Sequence, residues 1–336
     1  YDKSGATLWT YDEATEITKS VAISQNGRTI VLGYYSTGKL LLFNKTSSTP
    51  EWTATDASGS FYSVAVSRDG QYIAAGNDDN YVYLYNRSSN TYLWRYATGD
   101  TVEMVAVSAD GTYVVAGSND NRLYLFDTKD AGTPLVWYNQ TSADVKSVAV
   151  SENGSYLAAA SGTNLHVFND SESNAMWTYT AGASLTSVDM SLDGRYVVCS
   201  ASNGEIYVFN TTSGDLIRFM SVDETLGSVE ISADGQIISV MTDLTGADYL
   251  YVFELSHPST YLWRYLCRDS FWTQSMSEDG SYLGAVGGSY IHLFNSYLPT
   301  PFNLTEDAED PDLDGIFSLT WDKSYGAHNY SIYISN

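Results

Sequence analysis

The stretch SRDGQYIAAGNDDNYVYLYN, residues 67–86, decides the fold. Asp69-Gly70 makes a turn, and an apolar run, YIAAG, follows it. Asn77-Asp78-Asp79-Asn80 makes a second turn, and YVYLYN follows that. Apolar runs of this length between turn residues read as strands. Upstream lies another such run, SVAVS, and downstream comes LWRY. The unit is therefore four strands long.

The unit recurs. Asn26-Gly27, Asp69-Gly70, Asp110-Gly111, Asn153-Gly154, Asp193-Gly194, Asp234-Gly235 and Asp279-Gly280 fall at glycine intervals of 43, 41, 43, 40, 41 and 45 residues. Before the turns stand SVAIS, SVAVS, MVAVS, SVAVS, SVDMS, SVEIS and TQSMS. The third strands are LLLFN, YVYLYN, LYLFD, LHVFN, IYVFN, LYVFE and IHLFN, and a Trp-bearing fourth follows as EWTA, LWRY, VWYN, MWTY or LWRY. After Gly194 the corresponding text is DLIRFM, with Phe219 at the expected place of Trp. Four strands per 40–45 residues, seven times over, specify an all-β, seven-bladed β-propeller of four-stranded blades.

Two local expectations follow. Asp-Gly and Asn-Gly suit a two-residue hairpin with φ > 0 at both central residues. The outer-strand Trp is large enough to seal the wedge against the neighbouring blade. The seventh repeat has only three strands, whereas the N-terminus opens with an orphan, Leu8-Trp9-Thr10-Tyr11. That strand is expected to complete blade seven, closing the ring and removing an exposed edge. The domain division is 1–296 propeller, 297–303 linker and 304–336 a further module.

Repeated S-x-D-G-x-Y and L-W-x-Y make 1–296 resemble WD-repeat and PQQ-like propellers, including the YVTN-type propellers of prokaryotic surface proteins. The chain lacks the Gly-His and Trp-Asp dipeptides of WD-repeats and the adjacent-cysteine pair of quinone-dependent dehydrogenases. The resemblance therefore implies architecture and not those families' activities. In the last segment, alternation of Phe317, Leu319 and Trp321 and then of Tyr330, Ile332 and Ile334 resembles the start of a fibronectin type III domain, a partial β-sandwich module. Such a sandwich needs about 90–100 residues, so the protein is expected to continue past Asn336.

Lys plus Arg number 16 and Asp plus Glu 40, a net charge of −24. That field repels phosphate backbones, which excludes nucleic acid as partner, and it favours cations and cationic surfaces. No apolar run is long enough to span a membrane. Two cysteines, Cys199 and Cys267, exclude a disulfide scaffold. A start at Tyr1 without Met suggests a processed chain.

Asn-x-Ser/Thr acceptors for glycosylation stand at Asn44, Asn86, Asn139, Asn153, Asn169, Asn210, Asn303 and Asn329. Asn44, Asn86, Asn169 and Asn210 all follow the third strand of their blades, where Asn is also good turn chemistry. These four and Asn153 share the face carrying the first-to-second and third-to-fourth connections. Asn139 sits near a blade-to-blade link on the other face. That other face is the one expected to take a cationic or sugar ligand. Its loops hold Asp78, Asp79, Asp120, Asp223, Glu224 and Asp243 as ligand candidates, with Asp12, Glu13, Glu16, Asp56, Asp100 and Asp248 and the aromatics Tyr34, Tyr35 and Phe271.

Asp310, Asp312 and Asp314 alternate ahead of Gly315, a spacing that suits the start of a Ca²⁺ loop. The bidentate acid of such a loop is missing, since Trp321 stands in its place. His166, His257, His292 and His328 are scattered, and His166 and His292 share one third-strand position, which points to structure. There is no Ser-His-Asp constellation, phosphate loop, His-x-x-x-His pair or complete sialidase Asp-box. The expected protein is an extracellular or cell-surface one whose propeller binds or assembles with other surface proteins, further copies of itself, carbohydrate or a cationic ligand. It is expected to be no enzyme and to require no cofactor, Ca²⁺ being the possible exception. The alternatives are a propeller-scaffold enzyme on extracellular polysaccharide and an intracellular interaction scaffold.

Overall fold

The computed structural model describes residues 9–11, 17–35, 37–243, 248–257, 261–267, 271–287 and 290–296, with two short strands at 316–319 and 330–333. Every described element is a strand. Six antiparallel sheets have four strands in sequence order, and a seventh comprises Phe271–Met276, Tyr282–Gly287 and Tyr290–Asn295. The architecture is a seven-bladed propeller. Ile316–Leu319 and Tyr330–Tyr333 pair antiparallel as a separate two-stranded sheet.

The turn that opens each second strand is one device used seven times. Ser67 Oγ donates to Asp69 Oδ1 at 2.7 Å, the same oxygen accepts the Gln71 amide, and Ser67 Oγ accepts the Tyr72 amide. Gly70 N closes on Ser67 O, and only the glycine has positive φ, at 76°. This corrects the expected two-residue hairpin with both central residues at φ > 0. A four-residue turn ending in a left-handed glycine is formed instead, because the serine and aspartate side chains satisfy the turn amides. The tyrosine of S-x-D-G-x-Y reaches forward. A Cβ on Gly154 would lie 2.4 Å from Tyr113 Cδ2, and one on Gly235 would lie 2.3 Å from Tyr196 Cδ2. In blades two to five the tyrosine thus packs against the next blade's turn glycine, whereas Thr29 and Ile237 take that place in blades one and six.

The outer strands make the second kind of joint. Trp52, Trp94, Trp137, Trp177 and Trp263 face Tyr85, Phe126, Phe168, Phe209 and Phe294 of the following blade at 5.3–5.9 Å between ring centroids. The indole nitrogens of Trp52, Trp137 and Trp177 donate to the carbonyls of Arg87, Asp170 and Thr211, just past those third strands. Trp9 does the same to blade one. It stacks on Phe43 at 5.6 Å and donates to Lys45 O at 2.7 Å, and Tyr11 meets Phe43 edge-on. Trp9 therefore occupies on blade one the place that the preceding blade's outer-strand tryptophan takes elsewhere, while the described sheet of blade seven has three strands.

Blade five differs from the sequence expectation. Trp177 is paired with Val167, and Arg218 is paired with the equivalent Val208. Arg218, not Phe219, holds the tryptophan position. Its guanidinium donates to Glu254 O and Leu255 O, replacing the indole bond. Phe219 points outward and is half exposed.

At the axis, serine hydroxyls join the first strands. The amides of Val64, Val105 and Val188 bond to Ser20, Ser63 and Ser147 of the preceding blades at 3.0–3.1 Å. The seam between blades seven and one is looser. Gln25 bonds to Glu278 across it, Arg68 of blade two also reaches Glu278, and Ile17, Val21 and Ile23 remain exposed.

Candidate functional site

Three regions could act, namely the two faces and the axis. On the first face, Asn44, Asn86, Asn169 and Asn210 have one geometry. Each Oδ1 accepts the backbone amide and the hydroxyl two residues on. Nδ2, the atom that would carry a glycan, has no partner at Asn86, Asn169 and Asn210 among the described residues, whereas at Asn44 it donates to Glu51 Oε1. Asn153 uses Oδ1 in the Ser-x-Asn-Gly turn and is exposed. Asn139 differs, because its Nδ2 donates to Ser173 O of the next blade at 2.7 Å. Asn303 and Asn329 lie outside the described residues.

On the opposite face, most of the candidate carboxylates already have work in the scaffold. Asp79 accepts the Tyr83 hydroxyl at 2.6 Å, Asp120 that of Tyr124 at 2.5 Å and Glu224 that of Tyr251 at 3.0 Å. Glu205 holds Tyr207 likewise, and Asp56 holds Tyr85. Asp78 caps the Ser60 amide at 2.7 Å. Burial, and then the adjacent carboxylate, pushes the Tyr83 and Tyr124 hydroxyls up, so they stay donors. Only Asp223 and Asp243 among the six candidates remain exposed without a side-chain bond of this kind. Asp12, Glu13, Glu16, Asp310, Asp312, Asp314 and His328 lie outside the described residues, as does the Phe271 side chain. His166 and His292 replace the tyrosine of this ladder and stack toward Phe168 and Phe294. Burial lowers the pKa of both rings. Burial likewise pushes the Cys199 thiol up, leaving it unreactive.

The axis holds what sequence reasoning missed. At its mouth a cavity of about 670 Å³ is lined by residues that include Gln25, Arg68, Val107, Val150, Leu192 and Glu278. The Arg68 guanidinium spans it, bonding to Glu152 and, at 3.1 Å, to Glu278. Deeper in, one first-strand position carries Ala22, Ala65, Ala106 and Ala149 in blades one to four, but Asp189 and Glu230 in blades five and six. Asp189 Oδ2 accepts the Ile231 amide at 2.9 Å, and Glu230 Oε2 accepts the Met276 amide at 2.6 Å. Burial raises Asp189 to about 6. Burial first, and then the charge of Asp189, pushes Glu230 well above the usual carboxylate range. The signal was visible as the departures SVDMS and SVEIS from SVAVS. No three His, Cys, Asp or Glu side chains converge as a metal site among the described residues.

A family model described as "Outer membrane protein assembly factor BamB", of PQQ-type repeats, matches residues 1–133 and again 78–259. The chain belongs to this family. Among solved structures, this BamB-type propeller is similar to the beta-propeller domain of Cps50 (Swd1) from Myceliophteria thermophila. The TM-score is 0.67 and the identity 14%, over 84% of this chain and 98% of that one. At that identity the likeness shows the fold alone. No curated protein matches. Family and fold together make the chain a binding or structural module. No described helix is long and apolar enough to cross a membrane.

Proposed function

We propose that this BamB-type propeller is the binding and assembly module of an extracellular cell-surface protein. Its partners are other surface proteins or further copies of itself, with carbohydrate or a cationic ligand as the smaller alternatives. The carrying observation is the repeated sequon geometry on one face, with Nδ2 unengaged at Asn86, Asn169 and Asn210. The turn itself does not require asparagine, because Asp127 accepts the Lys129 amide in the same place in blade three. An acid-rich chain that uses Asn there is using the acceptor and not only the turn. The opposite face is then left for a partner, with Asp223 and Asp243 as its exposed charges. The pair of strands at 316–319 and 330–333 fits the opening of a fibronectin-type module on the same chain.

Intact mass before and after deglycosylation, with site mapping in protein from the native host, tests this. Sugar at Asn86, Asn153, Asn169 and Asn210 and none at Asn139 is expected. Bare asparagine at all eight sequons would sink the surface reading in favour of an intracellular scaffold.

One observation favours a second reading, the polysaccharide-acting enzyme. Asp189 and Glu230 are neighbouring carboxyls with raised proton affinities, as general acids have. Hydrolysis of a polysaccharide panel, abolished by Asp189→Asn or Glu230→Gln, would establish that reading in place of the binding module.

A further inference from the structure

The joint between blades six and seven carries polar side chains at first- and second-strand positions that are apolar in blades one to four. Gln274 stands at the position held by Val21, Val64, Val105, Val148, Val188 and Val229 in the other six first strands. Ser239 is paired directly with Glu230, whereas the equivalent partners of Ala22, Ala65, Ala106 and Ala149 are Val31, Ala74, Val115 and Ala158. Directly opposed residues share one side of a sheet, as do residues two apart on a strand. Ser228, Glu230 and Ser239 therefore project together. Glu230 reaches the Met276 amide, so that common side is the one facing blade seven.

Gln274 comes to meet them. Its Nε2 donates to Ser228 O and Ser239 O, both at 3.3 Å. Among the described residues its Oε1 has no partner, although the residue is only 6% exposed. Among the described residues Ser239 Oγ is likewise unpartnered on a residue with no exposure, and Ser228 Oγ is shielded and unpartnered on a partly exposed residue. Buried oxygens without a donor are rare and call for an explanation. Here three of them lie at the joint that Glu230 crosses, with Asp189 on the first strand of blade five.

We propose that the joint of blades six and seven binds a hard divalent cation of the calcium class, ligated by the Glu230 carboxylate, Gln274 Oε1 and the hydroxyls of Ser228 and Ser239. The donors are all oxygen, which suits Ca²⁺ and not the softer metals that take thiolate and imidazole. One carboxylate among neutral oxygens, with the Asp189 charge nearby, balances much of the cation's charge. The ion in turn relieves the cost of burying both carboxylates. It also couples blade seven to the rest of the ring.

The test uses the full chain, stripped with a chelator and then titrated with Ca²⁺ while thermal unfolding is followed. Terbium luminescence excited through the tryptophans serves as a second readout. Ca²⁺ is expected to raise Tm by several degrees, as any ligand selective for the folded state does. Glu230→Gln keeps an oxygen for the Met276 amide, so it folds, and its Ca²⁺ affinity is expected to fall by about tenfold or more. Gln274→Leu should weaken binding comparably. A triple Asp310→Asn, Asp312→Asn, Asp314→Asn variant is expected to keep the full response, which separates this site from the tail. No Ca²⁺ response in the stripped protein, a wild-type response in Glu230→Gln, or loss of response only in the tail variant would each overturn the proposal.

Discussion

The indole nitrogen of Trp9 donates to the carbonyl of Lys45 at 2.7 Å and its ring stacks on Phe43, reproducing at the chain's start the contact that Trp177 makes with Thr211 and Phe209 inside the ring. Removing Trp9 therefore opens the seam between blades seven and one, where Ile17, Val21 and Ile23 are already exposed. Trp9→Ala is expected to cost about 3 kcal/mol, from lost burial, ring stacking and one hydrogen bond. Urea denaturation gives the number. Hydrogen exchange should show blade one and blade seven opening first, and uniform protection across the blades would contradict this account.

The forward-lying tyrosines predict a difference between two identical glycine substitutions. Gly27 and Gly154 both have positive φ, 65° and 73°. A Cβ on Gly27 meets nothing within 4 Å, whereas one on Gly154 meets Tyr113. Gly27→Ala should cost about 1 kcal/mol for backbone strain alone. Gly154→Ala should cost about 1–2 kcal/mol more, since the Tyr113 ring must shift. Equal losses for the two would mean that Tyr113 yields freely.

Blade five offers a test of register. Arg218→Ala removes two bonds to backbone carbonyls of blade six and is expected to cost about 2 kcal/mol. Phe219→Ala, one residue on, truncates a half-exposed ring and should change stability by no more than about 0.5 kcal/mol. The reverse order would restore Phe219 to the tryptophan position.

The axial carboxyls set a pH dependence of defined sign. In the folded protein Asp189 and Glu230 hold protons more tightly than in the unfolded chain. Stability therefore falls as pH rises from the ordinary carboxylate range through about 6 for Asp189, and further for Glu230. Opposing this, the Ser277 hydroxyl and the Ser281 amide hold Asp279 low. Its contribution is present above the unfolded value and lost as pH falls through the folded one. In chelator-treated protein, Glu230→Gln should match wild type near pH 4 and be the more stable of the two near pH 8. Urea midpoints across that range decide the matter, and a variant curve parallel to wild type would refute the assignment.

The blades could be counted in the sequence because the turn residues recur at a fixed period, and each recurrence has a local cause. Ser67, Asp69 and Gly70 satisfy one another within five residues. What could not be read there depends on neighbours distant along the chain. Asp120 looked like a free rim acid because nothing in its own turn announces the Tyr124 hydroxyl beneath it. Asn139 looked like any other acceptor because Ser173 belongs to the next blade. By residue type Phe219 fits the tryptophan place, whereas strand register gives that place to Arg218. Asp189 and Glu230 were legible as breaks in an alanine column, but only once the seven first strands are stacked as a ring.

Every joint in this ring points the same way. In blades two to five the tyrosine packs on the glycine of the next blade, and Trp52, Trp137 and Trp177 donate to the carbonyl beyond the next third strand, a place Arg218 fills in blade five. Each blade thus has a donor flank and an acceptor flank, like a tile with a tongue and a groove. Such tiles have no intrinsic number. The tongue of the last tile fits the groove of the first because Trp9 makes the same contact there that Trp177 makes inside the ring, so a blade can be gained or lost with little change of interface. Heredity can count in blades here, and only the wedge angle between tiles decides when the circle is full.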